Sequence, residues 1–198
     1  MNNLDRNQLR KNIRQQRRQL PLQQQHQHAQ LLSHHVCRHP LFLNSRRVAG
    51  YLAEDGEINP ELIIEKAWRY KKDVYLPILP PTGHALFFAP FTPQSRLIPN
   101  RFGIQEPDIH PKHWIRARQL NLILMPLVAF DPQGNRLGMG GGFYDRSLGF
   151  TRHRKQWHSP HLLGLAHDLQ KVNQLPFESW DVPLNMIATE QRLYAINK

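Results

Sequence analysis

The sequence predicts an α/β fold. It is a three-layer α/β/α sandwich in which a mixed, mostly parallel sheet of about six strands carries helices on both faces. Three observations predict it. Short apolar runs rich in branched residues, such as Leu120 to Met125 and Leu162 to Ala166, have the length and composition of buried strands. A strand, turn, helix, strand order over residues 47–79 makes a βαβ unit, whose two strands run parallel. A glycine-rich stretch follows the central apolar run, at the strand end where open α/β sheets place their ligands.

In chain order, residues 4–20 read as a helix. Leu9, Ile13 and Leu20 share a narrow arc, with Arg6, Arg10 and Arg17 on the adjoining arc and Lys11 and Arg18 pointing elsewhere. Pro21 breaks the chain, and residues 22–38 form a second, Gln/His-rich helix. His26, His28, His34, His35 and His39 lack the Glu and Cys partners of a zinc motif and read as a polar, partly exposed face. Strand 47–52 leads through an acidic turn (Glu54, Asp55, Glu57) to a helix started by Pro60, with Leu62, Ile63, Ala67 and Tyr70 as its inner face. Strand 72–79 and strand 85–91 form a hairpin. Residues 92–119 are broken by proline and read as irregular. After strand 120–125 come the glycine loop, a helix over 141–149, a basic exposed stretch from Thr151 to Ser159, strand 162–166, and a closing hairpin of 186–189 with 192–196.

At 198 residues the chain reads as a single domain, with the basic, helical residues 1–40 packed on it. No apolar stretch is long enough to span a membrane, and the first twenty residues lack the apolar core of a secretory signal. One cysteine, Cys37, excludes an internal disulfide and fits a reducing cytoplasm. The net charge of +11 is concentrated at the front: residues 1–50 hold nine Lys/Arg and only Asp5. Such an arm suits a nucleic acid, an acidic membrane or a small polyanion, or is simply a solvated helix face.

The chemistry concentrates in residues 126–146, PLVAFDPQGNRLGMGGGFYDR. Gly138, Gly140, Gly141 and Gly142 let backbone N–H groups converge on an oxyanion. The stretch is neither GxxxxGK[ST] nor GxGxxG, since it has no lysine and Phe143 stands where a glycine is needed. Arg136 offers a bidentate phosphate donor and Asp145 a hard oxygen ligand for Mg²⁺. Asp131, Asp145 and Asp181 are thus candidates for a metal, and Arg6, Arg10 and Arg136 for phosphates. Phosphoryl transfer fits this set, because charge placement does most of its catalysis.

The run MPLVAFDPQGNRLGMGGGFYDR resembles the signature of the 5-formyltetrahydrofolate cyclo-ligase family. Three further segments agree in order. Arg6-Asn7-Gln8-Leu9-Arg10 is similar to the family's N-terminal K-x-x-L-R, Asp55-Gly56-Glu57-Ile58 to its acidic turn, and Trp180-Asp181-Val182-Pro183-Leu184 to its D-x-P segment. The resemblance implies a cytoplasmic, ATP- and Mg²⁺-dependent ring closure of 5-formyltetrahydrofolate to 5,10-methenyltetrahydrofolate through a phosphorylated formyl group. It implies ATP contacts by Arg6, Arg10 and the run Arg136, Leu137, Gly138, Met139, Gly140, Gly141, Gly142, Phe143 and Tyr144, with Arg136 and Tyr144 catalytic. It implies Mg²⁺ on Asp145 and Asp181. Leu52, Glu57 and Phe102 would contact the folate, Glu57 at its pterin end, with Met139 to Phe143 between the two substrates. The partners implied are ATP, 5-formyltetrahydrofolate and its polyglutamates, taken up by a monomer without nucleic acid or membrane.

Two departures shift weight within the site. Arg6 replaces the usual lysine, and the loop lacks the basic residues that some members carry at Met139 and Gly141. The competing readings are a nucleic-acid-binding module built on the basic N-terminal helix, and a sugar-phosphate isomerase or acyl-CoA transferase on a similar scaffold. The first leaves the glycine loop, Asp145 and Asp181 without a role.

Overall fold

The computed structural model describes residues 3–80, 82–83, 85–153, 160–176 and 178–196. The helices are α1 (Asn3–Arg18), α2 (Leu22–Cys37), α3 (Pro40–Leu43), α4 (Glu61–Arg69) and α5 (Phe143–Leu148). The strands before the glycine loop are β1 (Arg47–Ala49), β2 (Asp73–Ile78), β3 (Phe87–Pro90), β4 (Leu97–Pro99), β5 (Gln105–Pro107), β6 (Leu122–Pro126), β7 (Ala129–Phe130) and β8 (Arg136–Leu137). After it come β9 (His161–Leu165), β10 (Met186–Ala188) and β11 (Leu193–Ala195).

Seven strands form one sheet in the order β11-β10-β9-β6-β1-β2-β3. The five central strands are parallel, and β3 and β11 pair antiparallel at the edges. This is the expected mixed, mostly parallel sheet, with seven strands where about six were expected. The pleat explains its two covered faces. Leu122 and Leu124 of β6 point into a cluster with Leu32 and Val36 of α2 and Ile63, Ile64 and Ala67 of α4. Ile123 and Met125, the alternate residues, join Phe88, Ile187 and Leu148 of α5 on the other side. Ile13 brings α1 into a third cluster with Val128, Ala129, Leu137 and Leu175, so the N-terminal helix docks on the β7/β8 hairpin. Among the described residues no helix is long and apolar enough to cross a membrane.

Several local expectations change. The inner face of α4 is Ile63, Ile64 and Ala67; Leu62 is half-buried and Tyr70 exposed. The helix ends at Arg69, which takes Tyr70 out of the helical phase. β1 stops at Ala49, and Tyr51 and Leu52 leave the sheet. Within the stretch read as irregular, β4 and β5 pair as a hairpin. Arg18 does not point away but pairs with Asp55. Of the stretch read as basic and exposed, residues 154–159 lie outside the described residues, while Gly149–His153 form a 3₁₀ turn.

Asp131, read as a metal candidate, is a turn anchor. It is fully buried and accepts the backbone N–H groups of Gln133, Asn135 and Leu175 and the Asn135 side-chain amide. Four donors occupy its two oxygens, so none is left to face a ligand.

Candidate active site

The parallel strands aim their C-terminal ends at one side of the sheet. There, Tyr51 and Leu52 after β1, Leu76 and Pro77 of β2, and Pro126 and Leu127 at the end of β6 border a cavity of about 670 Å³. Apart from Asp131, sixteen site residues are expected from sequence, and fifteen of them line it, drawn from α1, the acidic turn, the β4/β5 hairpin, the glycine loop with the start of α5, and the 178–184 segment. Leu137 does not. Its side chain is buried with Ile13 and Val128, so any contact with a nucleotide falls to its backbone.

One end of the cavity is ionic. Arg136 donates through Nη2 to Asp145 Oδ1 at 2.6 Å and through Nη1 to the Val182 carbonyl. Arg6 Nη2 reaches Asp181 Oδ2 at 3.3 Å, and the Glu178 N–H donates to the same oxygen. Arg10 Nε donates to the Gly138 carbonyl at 2.8 Å and Nη1 to the Asn7 side chain at 2.7 Å. Burial and the neighbouring Arg6 charge hold the Arg10 guanidinium below its ordinary pKa. The Arg6 Nε is buried without a hydrogen-bond partner. Three guanidinium groups, two carboxylates and an orphaned cationic donor form an environment that a polyanion with a divalent metal would complete.

The glycine loop arrives after β8 rather than directly from the central strand. Gly140 has φ +99°, and a Cβ there would lie 3.7 Å from Arg10 Cζ, on the side where the two elements meet. Gly142, at φ +63°, is the residue before α5. Only glycine adopts both angles without strain, which is why the loop turns so tightly.

The other end is aromatic and apolar. The rings of Phe102 and Phe143 meet edge to face at 6.3 Å. Asn100 holds the tip of the β4/β5 hairpin that presents Phe102: its Oδ1 accepts the N–H groups of Phe102 (2.9 Å) and Ile104 (3.1 Å), and its Nδ2 donates to Glu106 Oε1 (2.7 Å). Glu106 in turn accepts the Leu79 N–H at 2.9 Å, tying the hairpin to the chain after β2. Sequence reasoning missed Asn100 and Glu106. The signal available was an Asn-x-x-Gly turn between two short, proline-ended strands.

Between the two ends sit the acidic turn and Tyr144. Burial raises the Glu57 carboxyl to about 7, against the opposing pull of Arg17, whose Nη1 lies 4.0 Å away, and of the Glu54 N–H. Burial and the Glu57 charge push the Tyr144 hydroxyl up, so it remains a hydrogen-bond donor. Asp55 is the anchor of the turn. Burial would raise its carboxyl, but hydrogen bonds from Arg14 and Arg18 and the charges of Arg14 and Arg17 hold it below its ordinary value. Arg17 is completely buried, paired with Asp55 at 2.9 Å and donating to the Asp55 and Leu127 carbonyls. Gly56 makes this packing possible: at φ +72°, a Cβ would come within 3.1 Å of the Arg17 carbonyl oxygen. Much of the basic excess of α1 is therefore structural.

Comparison with known proteins shows the family of the chain. The family model described as the 5-formyltetrahydrofolate cyclo-ligase family matches residues 2–190. A protein of Escherichia coli K12 named 5-formyltetrahydrofolate cyclo-ligase is 41% identical over 183 residues, covering 92% of this chain and 98% of that one. One of the same name from Haemophilus influenzae is 41% identical over 187 residues, covering 93% and 97%. Among solved structures, the 5,10-methenyltetrahydrofolate synthetase of Aquifex aeolicus superposes with a TM-score of 0.80 at 26% identity, covering 98% of this chain and 93% of that one. The chain belongs to the 5-formyltetrahydrofolate cyclo-ligase family.

Proposed function

We propose that this enzyme closes the ring of 5-formyltetrahydrofolate to 5,10-methenyltetrahydrofolate at the expense of ATP, with Mg²⁺ held by Asp145 and Asp181. The observation that carries the reading is the two-ended cavity. A cationic end with a glycine loop runs into an aromatic end with a poised carboxyl, which is the layout for two chemically different substrates meeting at Met139–Phe143.

In this reading Arg6, Arg10 and Arg136 bind the triphosphate, and the Gly138–Gly142 backbone approaches it without side chains. The orphaned Arg6 Nε gains an acceptor. The second carboxylate oxygens of Asp145 and Asp181 suit a hard cation, which supplies neutralisation of phosphate charge. Leu52, Phe102 and Phe143 enclose the pterin, and Glu57 accepts its N–H groups. The formyl oxygen attacks the γ-phosphorus, the bond to the bridging oxygen breaks, and ADP leaves. Folate N10 then attacks the formyl carbon, loses its proton, and phosphate departs with the former formyl oxygen. No enzymic nucleophile is needed. Arg136 and the protonated Tyr144 stabilise the charge that develops on the transferring group. The partners in this reading are small molecules. The commitment of Arg14, Arg17 and Arg18 to Asp55 weighs against the nucleic-acid reading, because it removes the basic stripe that reading needs.

The test is to incubate the protein with 5-formyltetrahydrofolate, ATP and Mg²⁺ and follow methenyl-folate absorbance. Product that requires all three is expected; folded protein giving none overturns the reading. Arg10→Ala is expected to raise the KM for ATP roughly 10-fold or more, the loss of a charge-assisted contact, with a smaller change in the KM for folate. Equal changes would assign Arg10 to holding Gly138 instead.

A further inference from the structure

Outside the cavity, two histidines and a glutamate meet from three distant parts of the chain. His28 lies on α2, His167 follows β9, and Glu190 sits in the turn between β10 and β11. One ligand atom from each falls within 4.8 Å of the others. His28 Nδ1 is 2.9 Å from His167 Nδ1 and 3.6 Å from Glu190 Oε1. Metal–ligand bonds of about 2.0–2.2 Å at tetrahedral angles place donor atoms roughly 3.3 Å apart, between these two distances.

We propose that His28, His167 and Glu190 form a binding site for a divalent transition metal of the zinc class, separate from the active-site cavity. The surroundings of each ligand argue for it. His167 Nε2 is 3.3 Å from the Gly56 carbonyl, which places the ring proton on Nε2 and leaves the Nδ1 lone pair facing His28 and Glu190. The Glu190 Oε2 accepts the Asp168 N–H at 3.0 Å, fixing the carboxylate with Oε1 toward the histidines. Backbone groups thus orient two of the three ligands, as the outer shell of a metal site does. The carboxylate also lacks a fixed countercharge: among the described residues, His28 is its only ion-pair partner. His167 is fully buried and the Glu190 side chain is 6% exposed, whereas the His28 side chain at 12% leaves an entry path. Two imidazoles and one carboxylate suit zinc, cobalt or nickel rather than Mg²⁺. The site would fasten α2 to the ends of β9 and β10, and through His167 to the Gly56 turn that borders the cavity.

The test uses the full chain stripped with chelator, in excess Mg²⁺ so that hard oxygen sites are filled. Co²⁺ is titrated as a spectroscopic probe and Zn²⁺ as a competitor. One equivalent of Co²⁺ is expected to give visible d–d bands that Zn²⁺ abolishes, and Zn²⁺ is expected to raise the unfolding temperature. His28→Ala, on a partly exposed helix face, and Glu190→Gln, which keeps the acceptor for Asp168, are each expected to weaken binding at least tenfold. Folded protein without cobalt bands overturns the proposal. So do bands that persist unweakened in His28→Ala, which would place the ion on other histidines.

Discussion

Asp145→Asn is expected to lower turnover at saturating substrates by roughly a hundredfold or more, the scale seen when one preorganised charge is removed from a transition state. Asparagine keeps the shape and an acceptor oxygen, so the hydrogen bonds from Arg136 at 2.6 Å and from the Val182 N–H at 3.3 Å can persist. What disappears is one negative charge. Arg136 and Arg6 are paired with Asp145 and Asp181, and Arg10 adds a third positive charge to the ionic end of the cavity. In the proposed reading, a triphosphate with Mg²⁺ would exchange partners: the arginines would turn to phosphate oxygens and the aspartates to the metal. Removing the charge at 145 breaks that exchange on the metal side. It also leaves Arg136, only 6% exposed, with a neutral partner, which is expected to lower stability by about 1–3 kcal/mol. Melting temperature and folate KM should therefore be measured with turnover. A large fall in turnover at near-constant folate KM supports the metal role. Unchanged turnover removes Asp145 from it, and a parallel loss of folate affinity makes it a packing residue.

The sheet was legible because burial on both faces leaves a direct trace. β6 and, from Leu162 on, β9 are apolar runs, and the helix between β1 and β2 requires those strands to be parallel. The β4/β5 hairpin left no such trace. Each strand has three residues, both end in proline, and their stability comes from Asn100 and Glu106 rather than from an apolar face. The glycine loop could be read from composition, since few other residues tolerate its angles. The partners of charged residues could not. Nothing near Arg17 in sequence shows that it is buried against Asp55 and Leu127, and although the Asp131 turn holds three of that carboxylate's donors locally, nothing near it shows the fourth, the Leu175 N–H. Such assignments depend on which elements the fold brings together. The same holds for His28, whose two companions arrive from the far end of the chain. Local spacing read the α2 histidines as a polar, partly exposed face, and it carried no information on that cluster.

Glu57→Gln is expected to make the protein more stable and a poorer folate binder at once. With its folded pKa raised to about 7 by burial, Glu57 stays protonated in the native state over a range where the unfolded chain has already lost the proton. The native state then binds more protons than the unfolded state between about pH 4.5 and about 7. Stability contributed by this group is complete below the unfolded pKa and is lost as pH rises through that window, then stays level. The decline is about 3 kcal/mol at about 1.4 kcal/mol per pKa unit. Glutamine has no proton to lose, so the variant should match the wild type near pH 4 and exceed it by up to about 3 kcal/mol at pH 8. Folate binding should move the opposite way. In the proposed site, a carboxylate accepting two pterin N–H groups would be replaced by an amide that accepts one and opposes the other with its own N–H₂. The loss of about 1.5–3 kcal/mol in charge-assisted bonding corresponds to roughly 10- to 100-fold weaker binding at pH 8. Wild-type affinity should rise as pH passes through about 7 and ionises Glu57, while the variant's affinity stays flat in that range. Chemical denaturation and folate titration across pH 4–8.5 check both arms. Wild-type folate affinity in the variant at pH 8 would show that Glu57 does not read the pterin. A wild-type stability that fails to fall across the window would show that the Arg17 charge, not burial, sets the state of the carboxyl.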